Sequence, residues 1–379
     1  MKNNLAILSL YYKNANYGGI LQAYALQKVL EGQGYCVRQI SYDLLSGYRK
    51  PQKYRSYKIM AELYHLLKYR GWMLEFHRRQ KLVYDFADTI PHTKKVTASN
   101  IGKLANDFDL FICGSDQIWN PIGWQTTLFL DFLPKEKKRI AYAASVSKDI
   151  LSEKELRFME RYLMNFDRIS VREANTTKQL KEHFPDLNIE TMPDPVLLLS
   201  RETWTKLLVK SQNDEKYILA YFLGHDTDQR NQIISYAKTR NIRLKFISHL
   251  DWNDYGWEKN NENFLTGPIG APEFLSLIAN AELVVTDSFH GTVFAAVFDT
   301  PFVAVERVMQ GKTASMVSRI ATILGELGCS ERLVRQLEPG KSYSLTAGDI
   351  RVINENIDRL RNKGQIFLKE AINRSFRYG

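Results

Sequence analysis

The sequence predicts an α/β chain of two Rossmann-like domains with a cleft between them. Short apolar runs alternate with helical stretches, the pattern of parallel sheets covered by helices. The alternation runs through two series, separated by Met192-Pro-Asp-Pro195, whose prolines remove backbone donors and restrict their predecessors as a linker turn does. Length agrees: 379 residues suggest about two to three domains. With 44% hydrophobic and 25% charged residues the chain has a soluble globular composition.

In the first series Leu5–Tyr12 reads as a strand, Ile20–Glu31 as a helix and Cys36–Tyr42 as a second strand. Strands follow at Phe108–Cys113, Arg139–Val146 and Arg168–Val171, with a helix near Ser152–Asn165. The second series has strands at Tyr217–Leu223, Ile242–His249, Leu283–Thr286 and Phe302–Val305. Its helices are Thr227–Arg240, Pro272–Asn280, His290–Phe298 and about Ala314–Leu327, and a helical tail runs from Ala347 to about Ser375. The expected division is 1–190, with a basic aromatic helical insertion at about 46–95, then 191–345, and a terminal helix over 346–379 crossing back to the first domain. That is a GT-B-like arrangement.

Net charge is +10, and its excess is local. Between Ser46 and Lys81 ten basic residues oppose two acids, Glu62 and Glu75, among seven aromatics. The apolar spacing from Ile59 to Phe76 predicts one or two amphipathic helices broken near Gly71. A basic amphipathic element rich in Trp and Tyr suits an anionic membrane surface; a solvated helical insertion covering a domain is the favoured explanation. No nucleic-acid motif accompanies the patch, so no nucleic-acid partner is expected. Cys36, Cys113 and Cys329 form no CxxC or Cys/His cluster, which argues for reduced thiols and against a zinc site. The polar start and the lack of a long apolar run lead to the expectation of a cytoplasmic protein, peripheral at most to the inner membrane face. No metal or cofactor is expected.

Three segments at the carboxyl ends of strands are candidates for binding, since ligands of open α/β sheets lie there. Asn16-Tyr17-Gly18-Gly19 lets backbone approach a ligand at a helix N-terminus, although a tight turn needs the same glycines. Ser115-Asp116-Gln117-Ile118-Trp119-Asn120 resembles a polar floor for a sugar or phosphate; a helix cap explains Ser115 or Asp116 alone. Asp287-Ser288-Phe289-His290-Gly291-Thr292 follows an apolar strand and opens a helix, a ready anion site with a histidine able to exchange protons near neutral pH. Arg172 stands just beyond a strand, where a guanidinium can hold a carboxylate or phosphate by two hydrogen bonds or pair structurally with Glu173 or Asp167.

Taken in order, Asn16-Tyr-Gly-Gly-Ile-Leu-Gln-Ala-Tyr-Ala-Leu-Gln27, Gly114–Asn120, Ser170–Glu173, Asp194-Pro195 and Asp287–Phe294 resemble the polysaccharide pyruvyl transferase family. The resemblance implies transfer of enolpyruvate from phosphoenolpyruvate to a sugar of a bacterial surface glycan or its lipid-linked precursor, leaving a pyruvate ketal. It implies Arg172 and His290 on the donor. Better-studied members carry Arg-Leu-His where this chain has Ser288-Phe289-His290, and that arginine also binds the donor. Either another base, Arg307, Lys312 or Arg319, replaces it, or the donor differs. On this reading Arg172, Ser288, Phe289, His290, Gly291 and Thr292 bind the donor. His290 is the general acid/base, Asp287 orients it and Asp116 is the alternative base. Asn16, Tyr17, Gly18, Gly19, Ser115, Gln117, Trp119 and Asn120 face the acceptor. A GT-B glycosyltransferase using a nucleotide sugar and a non-catalytic glycan-binding protein are the competing readings.

Overall fold

Two parallel sheets stand side by side in the computed structural model, which describes residues 3–47, 70–121, 124–210, 215–250, 261–265, 267–309, 312–313 and 317–377. The first sheet contains β1 (Asn4–Leu8), β2 (Cys36–Gln39), β3 (Leu110–Cys113), β4 (Lys138–Ala144), β5 (Arg168–Val171) and β6 (Ile189–Thr191). They lie in the order β2-β1-β3-β4-β5-β6, every pair parallel. Its helices are α1 (Tyr17–Gly32), α2 (Arg70–Asp88), α3 (Glu153–Leu163) and α4 (Ala174–His183). Strand β3 is buried at every position, as a parallel strand covered on both faces must be. The sequence pattern does not reveal β6, because three residues are too few to display a period.

After a short α5 (Arg201–Thr205), the second sheet has β7 (Tyr217–Tyr221), β8 (Arg243–Ile247), β9 (Leu283–Thr286) and β10 (Phe302–Val305). A short antiparallel pair follows, β11 (Val308–Met309) with β12 (Lys312–Thr313), and β13 (Leu333–Val334) completes the sheet order β13-β10-β9-β7-β8. Its helices are α6 (Thr227–Thr239), α7 (Ala271–Ala279), α8 (Phe289–Val297) and α9 (Val317–Leu327), and α10 (Ala347–Arg377) ends the chain. Helix α10 lies against the first sheet. Phe367 packs 6.0 Å from the Tyr142 ring of β4, and Gln365 donates to the Leu198 carbonyl at 2.9 Å. Gly364 permits this approach, since a Cβ there would come within 2.5 Å of both Leu198 and Tyr142.

Helix α2 begins at Arg70, beside the Gly71 near which a break is expected; the rest of the basic segment, 48–69, lies outside the described residues. One local expectation is corrected. The Met192–Pro195 turn is not an exposed linker. Asp194 caps the 3₁₀ turn Pro195–Leu198 by accepting from the Val196 amide at 3.1 Å, and Met192, Val196 and Leu197 are buried in a core shared by both sheets. Paired prolines make a turn but do not say whether water sees it.

Strand order reverses between β1 and β3 in one sheet and between β7 and β9 in the other. The loops after β1, β3 and β9 therefore open at two topological switch points that face each other.

Candidate functional site

The N-termini of α1 and α8 meet across the two sheets. Asn16 caps α1 by accepting from the Gly19 amide at 3.1 Å, and Ser288 caps α8 by accepting from the Gly291 amide at 3.4 Å. His290, in the first turn of α8, packs on the first turn of α1. A Cβ on Gly18 would fall 2.0 Å from His290 Nδ1, so any side chain there displaces the His290 ring. Two helix N-termini aimed at one volume favour negative charge there.

Asp194 ties the site together. Its Oδ2 accepts from Arg172 Nη1 at 2.5 Å and from Ser115 Oγ at 3.3 Å, and lies 3.5 Å from His290 Nε2. Burial alone would raise the Asp194 carboxyl, but His290, Arg172 and the Val196 amide hold it well below the usual carboxylate range. Burial also opposes the charge of Arg172. The carboxylates of Asp194, Glu173 and Asp116 outweigh that and hold the guanidinium above its ordinary value. The guanidinium lies 4.4 Å from the Phe289 ring centroid, and its Nη2 has no hydrogen-bond partner among the described residues. Arg172 is thus both ion-paired and open on one edge.

A second buried network enters from strand β4, whose register shifts between Ala141 and Ala144. Bulges of this kind re-aim side chains beside active sites. The chain beyond delivers Ser145 and Ser147, the latter at φ 57°. Ser145 Oγ donates to Glu173, the Ser145 and Ser147 hydroxyls are 2.8 Å apart, and Arg319 Nη1 of α9 donates to Ser147 Oγ at 3.0 Å. Burial, followed by the nearby charge of Arg172, pulls Arg319 down to about 10.

Asp116 is held at φ 60° and ψ −166°, a conformation essentially reserved for glycine that costs about 1–3 kcal/mol. Its Oδ2 lies 3.2 Å from where a Cβ on Gly19 would be. Asp116 is therefore aimed, at a cost, at the helix terminus that His290 also faces.

Several expected site residues serve the scaffold instead. Trp119 is wholly buried, stacked 5.2 Å from Phe129, with its indole donating to the Leu128 carbonyl. Tyr17 is buried between the domains, stacked 4.5 Å from Phe274 and donating to the Ile269 carbonyl at 2.8 Å. Neither can face an acceptor. Asn120 Nδ2 donates to Gln117 Oε1, so this pair closes its own turn. Asp287 does not orient His290, because its carboxylate accepts from the Leu223 and Gly224 amides and from Arg307 Nε. Ser288 is used as the α8 cap, and Thr292 Oγ1 bonds back to the Ser288 carbonyl. Gly291 lets α8 pack on Thr286. Phe289 supplies the ring beneath Arg172.

The structure adds Asp194, Glu173, Ser145 and Ser147, which carried no site role in the sequence reading. An acid flanked by two prolines was the available signal for Asp194; the serines had none, since a bulge delivers them. Among the described residues no three His, Cys, Asp or Glu side chains converge as a metal site.

Solved structures resemble the whole chain at low identity. UDP-GlcNAc 2-epimerase from Neisseria meningitidis, bound to UDP-GlcNAc, is 11% identical with a TM-score of 0.52, covering 99% of this chain and 100% of its own. The Methanocaldococcus jannaschii UDP-GlcNAc 2-epimerase in complex with UDP-GlcNAc and UDP is 12% identical with a TM-score of 0.50, covering 100% of both chains. A Listeria monocytogenes protein is 13% identical with a TM-score of 0.53, covering 100% of this chain and 98% of its own. These similarities establish the two-domain α/β, GT-B-like fold. No curated protein sequence matches the chain. The family model for polysaccharide pyruvyl transferase matches residues 16–307.

Proposed function

We propose, from the premise that this chain belongs to the polysaccharide pyruvyl transferase family, that it transfers the enolpyruvyl group of phosphoenolpyruvate to two hydroxyls of a glycan sugar. The observation that carries the reading is the Arg172–Asp194–His290 cluster between two facing helix N-termini. Phosphoenolpyruvate brings a carboxylate and a phosphate. Both need cationic and N–H partners in a water-poor site.

His290 delivers a proton to the methylene carbon, leaving positive charge at the carbon that bears phosphate. The Asp194 carboxylate lies 3.5 Å from His290 Nε2 and orients the ring for that transfer. One sugar hydroxyl attacks that carbon, then phosphate leaves and a second hydroxyl closes the ketal. Of the two hydroxyl protons, one balances the new methyl group and the other leaves with phosphate. Asp116 is the base placed to take the first, facing the α1 terminus from the first domain.

The acceptor lies on the first-domain side, near Gly19, Ser115 and Asp116. A polysaccharide or a lipid-linked precursor both fit. For the latter, the charge of Ser46–Lys81 supports a contact with anionic lipid. Arg79 takes no part in that contact, since it is buried and donates to the Leu265 and Gly267 carbonyls. Among the described residues no helix is long and apolar enough to cross a membrane. A nucleotide-sugar donor is the second reading, favoured by Ser288, which puts a neutral side chain at the α8 terminus.

The test is phosphate release from phosphoenolpyruvate on addition of surface glycans, with mass spectrometry of the glycan. Release and ketal formation that vanish in His290→Asn support the reading. Full activity of a folded His290→Asn protein would remove His290 from the chemistry.

A further inference from the structure

We propose that Arg319, carried on α9, joins Arg172 in gripping one anionic group of the donor, so that the second domain supplies from another helix the cation that Ser288 does not. The inference rests on the donor reading above. Arg172 and Arg319 are both buried and line one cavity of about 10 Å³ together with Phe289 and the carboxylates of Asp194, Glu173 and Glu326. That volume holds about one water, so an anion enters between the two guanidiniums only as the side chains lining it draw back. Two guanidiniums brought together away from water repel, and an anion between them relieves the repulsion. Arg319 bears the strain, pulled down to about 10 by burial and by Arg172.

Position and competition point the same way. Arg319 is held at the cavity by Ser147 Oγ, at the end of the hydroxyl chain from Glu173, so its approach to Arg172 is built by two elements of the first domain. Arg172 presents an Nη2 with no hydrogen-bond partner among the described residues. The other bases in range do not serve. Arg307 is turned to Asp287, with Nε on the carboxylate at 3.0 Å and Nη2 on the backbone carbonyl at 2.9 Å, and the Lys312 side chain lies outside the described residues. Ser288 itself is occupied as the α8 cap, a task an arginine there would not perform.

Calorimetric titration of the full chain with phosphoenolpyruvate, inorganic phosphate and pyruvate tests this, comparing wild type with Arg319→Gln, Arg319→Lys and the surface control Arg78→Gln. Loss of one charge-assisted contact predicts phosphoenolpyruvate binding about 10- to 100-fold weaker in Arg319→Gln. Arg319→Lys should recover part of it, since lysine keeps the charge but not the fork. A parallel loss of phosphate binding identifies the gripped group as phosphate; a parallel loss of pyruvate binding identifies it as carboxylate. Arg319→Met, which drops the charge and keeps the stem, carries the test if the glutamine variant does not fold. Wild-type affinity in Arg319→Gln or Arg319→Met would overturn the inference and leave the donor reading standing. Phosphate binding that depends on Arg319, in a wild type that ignores phosphoenolpyruvate, would sustain the anion slot and overturn that reading. No binding of any of the three anions would overturn both.

Discussion

Replacing Asp194 by asparagine removes one charge from the most enclosed ion pair of the site. The asparagine oxygen, in the place of Oδ1, still accepts from the Val196 amide, so the backbone cap survives, while Nδ2 in the place of Oδ2 can donate to Ser115 Oγ. Arg172, paired at 2.5 Å in the native protein, loses its closest counter-charge while remaining buried. Stripping one partner from a buried pair costs about 3–5 kcal/mol, and the retained hydrogen bonds put this case near about 3. The cost depends on pH in a defined direction. The Asp194 carboxyl is held below its unfolded value, so its contribution is complete above about pH 4 and is lost as pH falls toward the folded value. Chemical unfolding of Asp194→Asn and wild type between pH 3 and 8, with the exposed Asp186→Asn as control, measures both. The gap should be about 3 kcal/mol at pH 7 and should shrink in acid. A gap under about 1 kcal/mol at pH 7, or one that widens below pH 4, would refute the view of Asp194 as an ionised hub.

Three further outcomes follow from single contacts. Gly18→Ala drives a methyl into His290 Nδ1, and a displacement of about 1 Å lowers turnover on the order of 100-fold while thermal stability changes little, checked by ketal formation alongside a melting curve. Trp119→Ala should cost about 3–5 kcal/mol of stability by emptying a stacked core position, with surviving folded protein still binding donor; loss of binding without loss of stability would return Trp119 to the site. Flotation with anionic liposomes should weaken in Arg78→Glu/Lys81→Glu and in high salt; flotation indifferent to both would dismiss the lipid contact.

The sheets were legible because their strands are continuous apolar runs closed by small or polar residues, and Leu283–Thr286 and Phe302–Val305 have the expected limits. Strand starts and ends elsewhere shift by a few residues, since Ser9–Tyr12 continues an apolar pattern in a loop that leaves the sheet. The site was legible in part. Arg172 and His290 stand where strand ends meet helix starts, a position local sequence can announce. Asp194 did not announce itself, because its role comes from three partners 22, 79 and 96 positions away along the chain. Trp119 and Tyr17 misled for the opposite reason: an aromatic beside glycines and amides suggests a sugar platform, and only packing against Phe129 or Phe274 shows that each is core. Asp287 was credited to its neighbour His290, although its carboxylate accepts from two backbone amides in the loop after β7 and from Arg307.

The central claim is that the cluster of Arg172, Asp194 and His290 takes phosphoenolpyruvate. A thermal-shift titration of the full chain with phosphoenolpyruvate and, separately, with uridine diphosphate tests it most directly. At about 100 times its dissociation constant a ligand specific for the folded state adds about 2.7 kcal/mol. The account predicts that phosphoenolpyruvate raises the melting temperature and that the rise disappears in Arg172→Gln. Stabilisation by the diphosphate alone would contradict it and make the chain a nucleotide-sugar enzyme.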